Sequence, residues 1–201
     1  TVSHNHYDHL DMKSLKKIYK LNPEASFLVP TGDKRRLERA GIRNVTEFLW
    51  WEDIKVNDAK FTFTPVQHWS ARGLGDRNKS LWGGWFMKFN SESIYHAGDT
   101  GYSNDFIETR KRLGSPDLSL IPMGAYAPRW FMKTNHVNPE EAVQISLDLG
   151  SKQSLAMHWG TFLLTDEEVL EPPALLKKAL EEKNLDGDYF IALKPGEVFN
   201  L

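Results

Sequence analysis

Thr1-Val2-Ser3-His4-Asn5-His6-Tyr7-Asp8-His9 opens the chain and places three imidazoles and one carboxylate within six positions, His4 to His9. No helix, strand or turn needs that composition in order to form. Neutral imidazole and carboxylate are the donors that zinc and related borderline cations prefer, so the cluster reads as a metal site. Thr1-Val2-Ser3 reads as the end of a strand, with the histidines on the loop that leaves it. Outward from there, apolar positions recur at helical spacing from Met12 to Leu21 and stop at Asn22-Pro23. A short strand follows over residues 26–30 and a charged helix over 33–40, closed by Gly41. Strands are predicted at 60–66, 80–89, 93–97, 118–122 and 155–158, with a last one near 189–193. Helices are predicted at 104–113, at 173–183, and from Asn138-Pro139-Glu140-Glu141 to Leu149, where proline takes the first helical position. Strands alternating with helices indicate a layered α/β domain, and no repeat or linker divides residues 1–201.

Composition narrows the function classes. The 201 residues suffice for one domain with a substantial core, and 40% apolar with 26% charged residues is ordinary globular usage. A formal net charge of −2 argues against a nucleic-acid binder, which would carry a basic face. There is no cysteine, so neither disulfides nor thiolate sites exist and any metal must be held by His and Asp. No apolar run approaches the ~20 residues of a membrane span.

Four more polar residues stand where predicted strands give way to turns: His68, Asp99, His136 and His158. Ligands of open α/β sheets gather at strand ends, so these residues can converge on the opening cluster. So many ligand-type groups suit two cations better than one, because a tetrahedral zinc accepts four donors. A carboxylate can bridge such a pair, and water shared by it would be acidic enough to act as a nucleophile near neutral pH.

The cluster His4-Asn5-His6-Tyr7-Asp8-His9, with His68, Gly98-Asp99-Thr100-Gly101 and His158, resembles the metallo-β-lactamase superfamily. Three longer stretches are similar to its N-acylphosphatidylethanolamine-hydrolysing phospholipase D family. They are Gln67-His68-Trp69-Ser70 with 76–83, Gly124-Ala125-Tyr126-Ala127-Pro128-Arg129-Trp130-Phe131-Met132-Lys133, and 158–162 with Leu170-Glu171-Pro172-Pro173. The resemblance covers essentially the whole chain. It implies an αββα sandwich whose first strands precede the His cluster, so an N-terminal segment carrying part of one sheet and of the lipid groove is expected to be missing here. It also implies two Zn²⁺ ions, with iron or manganese as alternatives: His4, His6 and His68 on the first, Asp8, His9 and His158 on the second, and Asp99 bridging. Asp8, Asp99 and His136 become the catalytic candidates, His136 by contacting phosphate or protonating the leaving group. The reaction implied is hydrolysis of N-acylphosphatidylethanolamine to N-acylethanolamine and phosphatidic acid.

Two departures from the family pattern are His96, where an apolar or aromatic residue is usual, and a shorter tract over 88–91. His96 reads as a core or ligand-orienting residue, and Asp11 as a partner of backbone or of a ligand imidazole. Tyr7, Arg129, Trp130, Phe131 and Lys133 are the substrate-binding candidates: aromatics for acyl chains and cations for an anionic phosphate. The partners expected are a phospholipid, transient contact with a membrane surface and a homodimer mate, with no nucleic acid. The location expected is cytoplasmic or peripheral to a membrane. The competing readings are a hydrolase of the same fold acting on another phosphodiester, a lactone or a sugar phosphate, and a non-catalytic metal scaffold.

Overall fold

The structure, a computed structural model, describes residues 1–200. Its elements are α1 (Met12–Leu21), β1 (Phe27–Pro30), α2 (Lys34–Arg39), β2 (Val45–Phe48), β3 (Asp53–Val56), β4 (Ala59–Thr64), β5 (Gly84–Lys88), β6 (Ser93–His96), α3 (Asp105–Leu113), β7 (Leu118–Pro122), α4 (Arg129–Met132), α5 (Pro139–Leu149), β8 (Gln153–Met157), α6 (Glu171–Glu182) and β9 (Phe190–Ile191). β1 and β2 form a parallel pair, and the other seven strands form one sheet in sequence order. That sheet is antiparallel from β3 to β6 and parallel from β6 to β9.

The period-two alternation of strand side chains explains the layering. In β1, Phe27 and Val29 point one way, into a cluster with Leu37 of α2 and with Met12, Leu15 and Tyr19 of α1. Leu28 points the other way and meets Phe48 of β2, Phe63 of β4 and Trp85 of β5. The next residue of β5, Phe86, turns to the far face of the large sheet. There it joins Tyr95, Ile121, Phe106 of α3, Val143 and Ile145 of α5, and Leu176 and Leu180 of α6. The order is therefore helices, small sheet, large sheet, helices.

Local signals explain most boundaries. Asp11 caps α1, its carboxylate accepting from the Lys13 and Ser14 amides at 3.1 Å each. Asn138 and Glu141 close a capping box on α5, with Pro139 in the first turn and Gly150 left-handed at the other end. The strand expected over 80–89 begins only at Gly84. Its first residues leave the sheet because Ser80 donates to Asp33 and the Leu81 amide bonds to the Thr31 carbonyl. Thr1–Ser3 is not a strand. It is wedged between the sheets by one backbone bond to each side, Val2 N–H to the Leu28 carbonyl and Gly83 N–H to the Ser3 carbonyl, both at 2.9 Å. β2, β3 and the single turn α4 were not expected from the sequence.

Candidate metal centre

Each ligand-type residue is placed by a different device. His4 follows the wedged segment, and the amides of His9 and Leu10 both bond back to the His6 carbonyl, coiling the loop. His68 lies just past β4, where Gln67 and Gly101 form an isolated bridge. Asp99 follows β6 on a turn that needs Gly98. That glycine has φ +66°, and a Cβ there would sit 2.7 Å from the Ser3 side chain. His136 stands between α4 and α5, its amide bonded to the Met132 carbonyl and its carbonyl to the Arg129 guanidinium at 2.8 Å. His158 caps β8 with φ 58°, a left-handed conformation that costs a non-glycine residue of order 1 kcal/mol or more. Its carbonyl presses on Gly124, where no Cβ would fit. Asp99 and His158 thus project from the carboxyl ends of parallel strands, as ligand-handling residues of such sheets do.

These side chains meet. One oxygen of Asp99, Oδ2, lies 3.1 Å from His9 Nε2, 3.4 Å from His158 Nε2, 3.8 Å from His4 Nε2 and 3.9 Å from His68 Nε2. Asp8 Oδ2 is 3.4 Å from both His9 Nε2 and His158 Nε2. His6 Nδ1 stands 2.9 Å from His4 Nε2 and 3.3 Å from His68 Nε2. The rings of His68 and His158 flank His136, with centroids 5.2 and 5.6 Å away. Three sets could each hold a metal ion: His4, His6 and His68; Asp8, His9, Asp99 and His158; and His68, Asp99 and His136.

The donor set fits a cation better than it fits itself. His68 Nδ1–H donates to the Asn135 carbonyl at 3.0 Å, which leaves a lone pair on Nε2. That lone pair converges with nitrogens of His4 and His6, and imidazoles cannot satisfy one another by hydrogen bonding when lone pairs outnumber protons. Asp99 Oδ1 and His136 Nδ1 are buried without a hydrogen-bond partner. A divalent ion would supply what these atoms lack.

The electrostatics separate two groups. Burial pushes His4 well below its ordinary value, His68 down to about 3 and His136 down to about 4, and it lowers His6 as well. Burial also opposes charge on His9 and His158, but Asp8 and Asp99 overcome it, raising His158 and lifting His9 to about 10. Hydrogen bonds from His158 and then His9 depress Asp8. For Asp99, burial acts upward, yet His158, His9 and His4 hold it well below the carboxylate range. A cation binding where these imidazoles would otherwise carry protons would release them.

The other candidates fall around this centre. Tyr7 is exposed and its hydroxyl donates to the Arg72 carbonyl at 2.9 Å. Arg129 binds the His136 carbonyl and, at 2.6 Å, Glu141. Trp130 and Phe131 are exposed on α4, as is Lys133 just beyond it. His96 accepts from the Gly98 amide through Nδ1 at 3.1 Å and belongs to none of the three sets. Sequence reasoning missed Asn5, whose amide donates to buried Asp33 at 3.1 Å, and Arg72, which binds the carbonyls of the His loop. Asn5 lies inside the motif and could have been found there; nothing in the sequence marks Arg72.

A four-layer α/β fold with His and Asp donors gathered at the strand ends defines a metal-binding class of protein. Residues 1–159 match the β-lactamase superfamily domain family, and the chain belongs to that family. It is 39% identical over 210 residues to N-acyl-phosphatidylethanolamine-hydrolyzing phospholipase D 1 of Caenorhabditis elegans, covering 98% of this chain and 59% of the relative. It is 41% identical over 187 residues to the mitochondrial N-acyl-phosphatidylethanolamine-hydrolyzing phospholipase D of Saccharomyces cerevisiae, covering 90% of this chain and 40% of the relative. The chain thus spans about half the length of these two relatives. Among solved structures, Igni18, a metallo hydrolase from Ignicoccus hospitalis, shares the fold at TM-score 0.75 and 21% identity, covering 98% of this chain and 76% of the other. Among the described residues, no helix is long and apolar enough to cross a membrane.

Proposed function

We propose that the protein is a metal-dependent phosphodiesterase that hydrolyses N-acylphosphatidylethanolamine to N-acylethanolamine and phosphatidic acid. The observation that carries this reading is identity of about 40% along nearly the whole chain to two proteins named for that activity, in a chain whose eight ligand-type side chains converge. The reading takes residues 1–201 as one hydrolase domain. His4, His6 and His68 would hold one divalent cation, Asp8, His9 and His158 a second, and Asp99 would lie between them. Zinc is the ion this donor set favours, while iron and manganese are accepted by the same donors. A bound pair supplies charge neutralisation at the phosphoryl oxygens and a water acidified toward neutral pH.

The chain's own residues bind and orient. His136, held between the rings of His68 and His158, would hydrogen-bond a phosphate oxygen or the departing oxygen. Arg129 fixes His136 through its carbonyl, and Lys133 offers an exposed cation to the anionic substrate. A cavity of about 150 Å³ opens beside Asp8, His9 and His158 and is walled by Trp159, Phe162 and Leu164. That apolar wall would receive the lipid chain nearest the phosphate, and the exposed Trp130, Phe131 and Tyr7 would meet acyl chains. These exposed aromatics fit transient, peripheral contact with a bilayer.

The test is mass spectrometry of products from the full-length protein given N-acylphosphatidylethanolamine and, in parallel, soluble phosphodiesters, lactones and sugar phosphates. N-acylethanolamine release that disappears in His158→Ala supports the reading. Turnover confined to the soluble panel, or a fully active His158→Ala enzyme, sinks it.

A further inference from the structure

We propose that Arg72 is the positioning residue of the metal centre, a strap that sets the curvature of the loop carrying His4, His6, Asp8 and His9. This rests on reading the cluster as a metal centre. The hydrogen bonds of Arg72 go to backbone rather than to a ligand side chain. Its Nη1 instead donates to the backbone carbonyls of Leu10 at 2.7 Å and Asn5 at 3.0 Å, with the His6 carbonyl at 3.4 Å. The contact is reciprocal. The Arg72 carbonyl accepts from the Tyr7 hydroxyl, and the guanidinium lies 4.0 Å over the Tyr7 ring.

The strap is itself anchored. Asp76 Oδ1 accepts from the amides of Arg72 and Gly73 at 2.9 and 2.8 Å, and Asp76 pairs with Arg36 at 3.6 Å. Arg36 faces Asp33 at 3.8 Å, and buried Asp33 accepts from the Asn5 amide side chain and from Ser80, each at 3.1 Å. A closed circuit therefore runs from the loop through Arg72, Asp76, Arg36 and Asp33 back to Asn5, between His4 and His6. A loop held on both flanks presents its donors already arranged, so little ordering entropy is lost when a cation binds. A guanidinium suits the task because its planar donors can reach carbonyls while its face stacks on tyrosine, which an ammonium cannot do together.

The experiment measures zinc affinity of the full-length protein by competition with a chromophoric chelator, alongside far-UV circular dichroism in excess chelator. Arg72→Ala is expected to lose about 10- to 100-fold in affinity, the usual cost of removing a group that orients ligands. Arg72→Lys keeps the charge and loses the fork; it is expected to recover only part of that loss. Tyr7→Phe removes the reciprocal bond at an exposed position and is expected to weaken binding a few-fold with the metal-free fold intact. Arg72→Ala affinity within two-fold of wild type would overturn the strap, as would full recovery by Arg72→Lys, which would make the effect one of charge. Should Arg72→Ala fail to fold, Arg72→Lys and Tyr7→Phe decide the matter: both binding zinc as wild type does would overturn the proposal. A wild-type protein that binds no zinc would instead refute the metal centre itself.

Discussion

The two walls of the cleft are built differently. On one side, the loop from His4 to Leu10 is anchored by the Arg72 strap and by Asn5, and His4, Asn5 and Leu10 are almost wholly buried. On the other, the segment following His158 exposes Phe162 at 68%, Leu163 at 81% and Leu170 at 75%. It is held mainly through Glu167, which accepts from the Ala125 and Ala127 amides at 2.6 and 3.0 Å. One wall ties its donor atoms down by burial and hydrogen bonds, and the other offers apolar surface with few constraints. Chemistry demands the first and a long flexible substrate tolerates the second.

Breaking the carboxylate that the fixed wall's histidines face should have the largest effect. Asp99 faces four imidazoles, so Asp99→Asn is expected to lower kcat at least about a thousand-fold, given that several kcal/mol of charge stabilisation would be lost. Metal analysis of the same variant should show less than the wild-type content; retained metal with retained turnover would contradict the assignment.

The second effect concerns stability in excess chelator. His9 is lifted to about 10 from 6.5, so the stability it contributes is complete below pH 6.5 and is lost as pH rises through about 10. His68 and His136, lowered to about 3 and about 4, contribute above 6.5 and lose that contribution as pH falls toward those values. The chelated protein should therefore have its highest Tm near neutrality and lose about 2–4 °C for each kcal/mol given up on either side. Thermal melts from pH 4 to 10 check this, and a Tm rising steadily across that range would contradict it.

Changes in the open wall should be milder and should fall on substrate capture. Phe162→Ala with Leu164→Ala removes apolar surface worth about 1.5–3 kcal/mol per side chain if fully covered by lipid. Roughly a ten-fold rise in KM for N-acylphosphatidylethanolamine is expected, with kcat for a short-chain analogue little changed. An equal fall in kcat for both substrates would mean that this wall is as constrained as the other. Smallest of all is Trp130→Ala: the indole is 86% exposed, so Tm should stay within about 1 °C while binding to phosphatidylcholine vesicles weakens. Unchanged sedimentation with vesicles would rule out a role for Trp130 in membrane contact.

The same contrast governs what the sequence discloses. Helix α1 was legible to the residue because its apolar spacing is clear and Asn22-Pro23 ends it; α5 was legible from Asn138 and Pro139. β2 and β3 escaped because each has four residues, too few for alternation to stand out from the surrounding polar positions. α4 escaped because a single turn after Pro128 has no periodicity at all. At the site, histidine and aspartate declare their chemistry by residue type, and the structure gathers all of those singled out at 4, 6, 8, 9, 68, 99, 136 and 158. Arg72 stayed hidden because its partners are backbone carbonyls, which every residue possesses. Asp33 stayed hidden because the fold, rather than spacing, brings it to Asn5.

The left-handed residue at the tip of β8 has one more consequence. His158 stands 150 positions after Asp8, yet their side chains are 3.4 Å apart. During synthesis the amino-terminal histidines leave the ribosome long before this partner exists. The cluster can be completed only when most of the polypeptide has emerged and β8 has docked beside β7, which makes the assembled centre a late reporter of a finished fold.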